Sequence, residues 1–162
     1  MSLNIIFVTV LALSSAMLSG LLFVFSNFAM KAFGRIPSGS GISAMQSINA
    51  CIVNPGFFVI FAGTALGSMG TLIMAIRNWQ HPSSIWITTG SATLLIGLYL
   101  VTAAINVPLN HWLDTVNPAA PDAATAWNEY VTKWQPWNHL RTIASLVAAI
   151  CFATGALHLV AR

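Results

Sequence analysis

The side chains most able to do chemistry in this chain recur at helical spacing between residues 127 and 141, although Pro136 interrupts the run. They are Trp127, Tyr130, Trp134, Trp137, Asn138 and Arg141. At about 100° of rotation per residue, these six fall within a stripe roughly 100° wide. An aromatic belt at the lipid headgroups would explain the tryptophans. Such a belt would not explain Asn138 and Arg141. Burying an ionisable side chain in a membrane is costly, so an arginine at the edge of an apolar span indicates function.

A second polar pair, Asn106 and Asn110, stands in the run Asn-Val-Pro-Leu-Asn at the end of another apolar segment. Residues four apart share a helix face, so the two amides would point the same way if the helix continues. Pro108 leaves a carbonyl without a donor one turn earlier, and capping of that kink is the alternative explanation.

A third group of amides consists of Gln46 and Asn49, with Asn27 as a further candidate late in the first apolar segment. We count all three as candidate substrate contacts because amides here could reach a site near the membrane surface. A solvated helix face explains Gln46 and Asn49 equally well.

The histidines and cysteines show no metal-ligating pattern. The sequence contains no HxxH, HxxxH or ExxH pair, and Cys51 and Cys151 are a hundred residues apart. A metal or haem would require distant histidines to meet by folding, so we predict no metal site. Both cysteines lie in apolar stretches and are expected to be small buried hydrophobic residues.

Composition places these residues in a membrane. Apolar residues make up 57% of the chain and charged residues 6%, whereas soluble proteins carry about 25% charged residues. The mean hydropathy is +0.79. A soluble enzyme is therefore disfavoured. The six cations form no cluster that could follow a phosphate backbone, so no nucleic-acid partner is expected. The expected partner is membrane lipid.

The uncharged runs predict an all-α fold, an integral membrane four-helix bundle in one domain, 1–162. Crossing the hydrocarbon core takes about 20 helical residues, and helices satisfy their own backbone in lipid. The predicted spans are about 4–30, 57–76, 85–106 and 137–161. A short extra helix at 41–53 follows span one. A helical loop at 110–136 precedes span four, with Pro136 as the first residue of that span.

Small residues along two of the spans predict close contacts between helices. They are Gly63, Gly67 and Gly70 in span two and Gly90 and Gly97 in span three. The same spacing would also suit a homo-oligomer, and the sequence leaves that hypothesis open. The expected location is a multi-pass position in the plasma membrane, the inner membrane if the source is bacterial.

Two of the runs described above, Asn106-Val-Pro-Leu-Asn110 and Trp137-Asn-His-Leu-Arg-Thr142, together resemble the signature of the anthrone oxygenase family. The N-terminal stretches 20–30 and 45–49 are also similar, so the resemblance covers nearly the whole chain. It implies a small protein of four membrane helices. In the characterised fungal members it further implies oxidation of a polyketide anthrone to an anthraquinone by molecular oxygen.

The resemblance also implies roles for the polar residues. A base would remove a proton from the anthrone methylene, and the resulting anion could reduce oxygen directly, so no cofactor is predicted, with haem or quinone as the alternative. Trp127, Tyr130, Trp134 and Trp137 would stack against the flat substrate. Arg141 would stabilise the oxyanion while Asn106, Asn110 and Asn138 donate hydrogen bonds to it. His139 would be the base, with His111 and Glu129 as competitors.

The leading hypothesis is a membrane oxygenase-like protein that acts on an apolar aromatic or quinone-like small molecule. The alternative is a non-catalytic bundle that binds a lipid, a quinone or haem, or that assembles with a partner. A transporter is disfavoured because the sequence shows no inverted repeat. The state of Arg141 separates the first two, since a purely structural arginine would pair with Glu129 or Asp114.

Overall fold

All regular elements in the described part of the chain are helices. The computed structural model describes residues 3–161, so the predicted domain ends at 1, 2 and 162 lie outside the described residues. Four helices are long and apolar enough to cross a membrane, namely α1 (Asn4–Phe33), α3 (Pro55–Arg77), α4 (Ser83–Asp114) and α5 (Ala123–Val160). A shorter helix, α2 (Ser38–Ile52), follows α1. The predicted all-α membrane bundle with one short extra helix is confirmed.

The outer surface of the bundle is apolar. Leu13, Leu66 and Leu157 are each about two-thirds exposed, at 67%, 66% and 69%. Water would make such a surface unfavourable, whereas lipid tails match it. The four long helices therefore place this chain in a membrane as an integral protein.

Small residues bring α4 and α5 together in an antiparallel pair. A Cβ atom added at Gly90 would lie 3.0 Å from the Cβ of Cys151, and one added at Gly97 would collide with Ala144. A Cβ atom added at Gly67 on α3 would lie 2.7 Å from Cδ2 of Leu11 on α1. Gly63 and Gly70 meet nothing within 4 Å, so only part of the predicted glycine face is used between the described helices.

The prediction that a helix begins at Pro136 is wrong, because α5 begins at Ala123 and runs through the proline to Val160. Proline removes one backbone donor and leaves one carbonyl without its partner. Breaking the helix would leave more backbone groups unsatisfied, and helices in membranes therefore tolerate proline. The predicted loop 110–136 is accordingly mostly helix, with residues 115–122 as the connection.

Helices α1 and α4 each contain π-helical turns, at Phe25–Ala29 in α1 and at Leu95–Leu100 and Thr102–Asn106 in α4. The last of these ends two residues before Pro108, where the helix must adjust to a missing hydrogen bond.

The prediction that both cysteines are buried is wrong for Cys51, since its side chain is exposed near the end of α2. Cys151 is buried as expected.

Candidate functional site

Asn138 ties the middle of α5 to α1. Its side chain is fully buried, and its Nδ2 donates to the carbonyl of Leu22 at 3.0 Å and to Oγ of Ser26 at 2.9 Å. Its Oδ1 accepts a hydrogen bond of 2.8 Å from Nη2 of Arg141. The two bonds donated by Nδ2 fix the amide on α1, and Oδ1 binds the guanidinium. Asn138 therefore holds the guanidinium in place relative to α1.

A chain of hydroxyl groups supports this arrangement. Thr142 donates its hydroxyl hydrogen to the carbonyl of Asn138 at 2.8 Å, and its Oγ1 lies 3.1 Å from Oγ of Ser26. Because a hydroxyl has only one hydrogen, Ser26 must be the donor in its contact with Thr142. Ser19 adds a bond of 2.9 Å to the carbonyl of Thr142. These hydroxyls orient Asn138 from the α1 side.

Arg141 is a buried cation that pairs with no carboxylate among residues 3–161. Its side chain is buried, and besides Asn138 it donates from Nη1 to Oγ1 of Thr102 at 3.2 Å. Its Cζ lies 5.2 Å from the ring centroid of Trp134, within cation–π range. Glu129 instead pairs with Lys133 on the exposed surface at 2.6 Å. Glu129 therefore does not form the ion pair with Arg141 that a purely structural arginine would make.

Three buried polar atoms around this guanidinium have no hydrogen-bond partner among the described residues. They are Nε of Arg141, Nε1 of Trp134 and Oδ1 of Asn106. Asn106 is fully buried on α4 and donates from Nδ2 to the backbone carbonyl of Trp134 at 3.3 Å, so it contacts the same residue whose ring lies against Arg141. Buried polar groups are nearly always satisfied in folded proteins, so such a cluster requires an explanation.

Aromatic rings extend from Arg141 along α5. Trp134 stacks on Tyr130 with ring centroids 6.0 Å apart, and Tyr130 stacks on Trp127 at 5.8 Å. The ring of Phe25 meets Trp134 edge-on at 6.0 Å. All three rings of the α5 row are buried, whereas Trp137 is 40% exposed and lies outside the row.

The two asparagines of α4 meet α5 one helical turn apart. Asn106 contacts Trp134, and Asn110 accepts a hydrogen bond of 2.9 Å from the hydroxyl of Tyr130. Because α4 and α5 are antiparallel, a spacing of four on α4 matches a spacing of four on α5. Asn110 is therefore a partner of Tyr130, whereas Asn106 lies nearer to Arg141. We call Arg141 and the side chains around it, Phe25, Ser26, Thr102, Asn106, Trp134 and Asn138, the Arg141 cluster.

The remaining predicted site residues lie elsewhere. Gln46 donates to the carbonyls of Leu113 and Val116, so it holds the end of α4. Asn49 has a buried Nδ2 without a partner in the described chain, and Asn27 is exposed. His139 is half-buried and His111 is exposed, and no hydrogen bond in the described chain joins either ring to the Arg141 cluster.

The sequence reasoning missed three side chains of the cluster: Phe25, Ser26 and Thr102. All three lie in π-helical turns, in Phe25–Ala29 and Thr102–Asn106. Such turns often occur at functional sites. A usable signal existed for Thr102, which stands four residues before Asn106 and so shares its helix face.

A groove of about 410 Å³ opens on the surface between α4 and α5, and its lining does not include Arg141, Trp134 or Asn106. Ile105 and Pro108 line one wall, and Pro136 and Trp137 line the other. The volume falls within the range of about 300–1,000 Å³ that small-molecule sites occupy. Within residues 3–161, no group of three or more His, Cys, Asp and Glu side chains could hold a metal ion.

Comparison with known proteins agrees with the motifs. No curated protein and no solved structure matches the chain. A family model described as anthrone oxygenase matches residues 53–151, which is more than half of the chain and includes Asn106, Trp134, Asn138 and Arg141. The match confirms the resemblance drawn from the two motifs and, with the four membrane helices, supports a membrane oxygenase-like protein. The chain belongs to the anthrone oxygenase family.

Proposed function

We propose that this protein uses molecular oxygen to oxidise an apolar aromatic ketone of the anthrone type at the Arg141 cluster. The observation that carries the proposal is the buried guanidinium, which has no acidic partner and an unpaired Nε within residues 3–161. A cation held in an apolar bundle attracts an anion strongly because little water screens it. The enolate oxygen of a deprotonated anthrone would supply that negative charge.

The proposed reaction begins with loss of a proton from the methylene carbon of the substrate. The electron pair left behind spreads onto the ketone oxygen, where Arg141 and the indole Nε1 of Trp134 would stabilise it. The anion then gives one electron to oxygen, and the resulting radical and superoxide combine to a carbon-bound peroxide anion, which takes the proton back from the base to give a hydroperoxide. Loss of one water leaves a second carbonyl, so one anthrone and one oxygen molecule give one anthraquinone and one water.

His139 remains the proposed base. Its half-buried ring lies next to Asn138 in sequence, about 100° around the helix from it. An imidazole suits proton transfer near neutral pH. We propose that the substrate lies between α4 and α5, with its ketone oxygen at the buried guanidinium and its outer ring in the surface groove, where Trp137 would cover one face of the ring system.

The proposal assigns no cofactor, since the substrate anion itself would reduce oxygen. Its proposed partners are membrane lipid and the apolar substrate, and a homo-oligomer is not required for the chemistry. The proposed location is the plasma membrane, the inner membrane in a bacterial cell, where membrane proteins are helical rather than barrels.

An oxygen-electrode assay on detergent-purified protein with a simple anthrone tests the proposal. Arg141→Met should lower the catalysed rate by about 10²–10³-fold, the usual loss when one oxyanion donor is removed. Arg35→Met, at an exposed position after α1, is the matched control and should retain the wild-type rate. An absorbance spectrum recorded first would reveal haem if it were bound.

Two results would contradict the proposal in different ways. If folded wild-type protein consumes no more oxygen than the spontaneous reaction, anthrones are not its substrates. If Arg141→Met and Arg35→Met are equally active, the reaction does not depend on the buried guanidinium, and a different site must be sought.

A further inference from the structure

A second and larger groove, of about 640 Å³, lies at the opposite end of the bundle. Helices α1 and α4 begin there, and α3 and α5 end there. The Arg141 cluster involves the late part of α1 and of α4 and the first half of α5, so the two sites lie toward opposite membrane surfaces. The groove therefore plays no part in the chemistry proposed above.

The lining of this groove is divided between apolar and polar groups. Phe7, Ile87 and Leu159 contribute apolar surface from three different helices. Arg77 and His81 contribute polar groups from the end of α3 and from the following turn. A ligand that fits both parts must itself be amphiphilic.

The polar part of the groove carries hydrogen-bond donors and a positive charge. Arg77 is exposed at the end of α3. The backbone N–H of Ser83 donates to Nδ1 of His81 at 3.2 Å, so that nitrogen is an acceptor and the neutral ring carries its hydrogen on Nε2. His81 therefore offers a second donor.

No acidic side chain among residues 3–161 competes for these donors. All three acids of the chain, Asp114, Asp122 and Glu129, lie at the other end of the bundle, near the connection between α4 and α5. The charge of Arg77 is thus unneutralised by the residues that line the groove. A free inorganic anion could meet the donors but would leave the apolar half of the groove uncovered.

We propose that this groove binds one anionic glycerophospholipid, with its phosphate at Arg77 and His81 and an acyl chain along Phe7, Ile87 and Leu159. The groove opens at an end of the membrane helices, where lipid phosphates are found. Charge and shape thus select the same class of ligand. The binding site is independent of the oxygenase activity and does not rest on it.

Native mass spectrometry of the purified protein tests this proposal with phosphatidylglycerol and phosphatidylcholine as probes. Wild-type protein should retain phosphatidylglycerol in preference to phosphatidylcholine. Arg77→Gln should weaken retention of phosphatidylglycerol by about fivefold, the loss expected from one cation near a lipid surface. Arg35→Gln removes an exposed cation at the other end of the bundle and should retain it as wild type does.

A second variant tests the cavity itself. Asn4 lines the groove at the start of α1 and is exposed, so Asn4→Trp should narrow the groove without changing charge or core packing, and it should also lower retention. Equal loss in Arg77→Gln and Arg35→Gln would overturn the proposal, as would unchanged retention in Asn4→Trp. Thermal stabilisation by inorganic phosphate alone, equal to that by phosphatidylglycerol, would also overturn it, since the ligand would then be a free anion.

Discussion

Replacing Asn138 by leucine should weaken the bundle more than any other single polar-to-apolar change on α5. Leucine has the same number of side-chain heavy atoms and the same branch point as asparagine, so the change removes hydrogen bonds without opening a cavity, although its methyl groups occupy more volume than the amide. Three hydrogen bonds are lost: two to α1, at 3.0 and 2.9 Å, and one from the guanidinium of Arg141, at 2.8 Å.

The magnitude follows from the kind of each bond. Hydrogen bonds between helices in a membrane contribute about 0.6 kcal/mol on average, and a bond from a charged donor about 1.5–3 kcal/mol. Loss of all three should therefore lower the free energy of unfolding by about 3 kcal/mol. The larger share comes from Arg141, because its Nη2 would be left buried without an acceptor.

Unfolding in detergent, followed by tryptophan fluorescence, measures this change. Asn27→Leu is the matched control, since Asn27 lies on α1 beside Ser26 but is exposed. The control should leave stability unchanged or raise it, because leucine suits a lipid-facing position better. If the two variants unfold at the same denaturant concentration, the buried network does not hold α1 to α5, and the reasoning fails.

Three further predictions concern the neighbouring contacts. Arg141→Met should keep the free energy of unfolding within about 2 kcal/mol of wild type, because loss of its hydrogen bonds is offset by removal of a buried charge; a larger drop in denaturant titration would contradict this. Gly97→Ala should destabilise by about 1–3 kcal/mol through overpacking, whereas Gly70→Ala, with open space around it, should not; equal melting temperatures would refute the contact. Tyr130→Phe should cost about 1 kcal/mol by leaving Asn110 without its donor, measured by the same titration.

Periodicity in the sequence was sufficient to predict which side of α5 is buried. Trp127, Tyr130, Trp134, Asn138 and Arg141 are all buried, and they belong to the stripe defined from helix geometry alone. Trp137 belongs to the same stripe yet is 40% exposed. A helical wheel gives the direction of a side chain but not which neighbouring helix covers it at that height.

Partners on other helices could not be derived in the same way. Asn138 meets Ser26 and Leu22 because α1 lies against α5 in one particular register, and nothing local to either segment specifies that register. The prediction that a helix begins at Pro136, rather than at Ala123, fails for a different reason. The rule that proline begins a helix holds in water, whereas in lipid an unbroken helix leaves fewer backbone groups unsatisfied.

The charge balance around Arg141 connects the fold to the proposed chemistry. Its hydrogen bonds to Asn138 and Thr102 and its contact with Trp134 orient the guanidinium, but none of them supplies a negative charge. In the proposed reaction, a neutral ketone beside this cation would gain little from it, whereas the enolate formed from that ketone would gain a full electrostatic attraction in a medium of low polarity. Groups that bind the charged state more tightly than the neutral substrate lower the barrier between them. A guanidinium paired with Glu129 would already be neutralised and would lose that selectivity, so the absence of a carboxylate partner in the described chain supports the role proposed for Arg141.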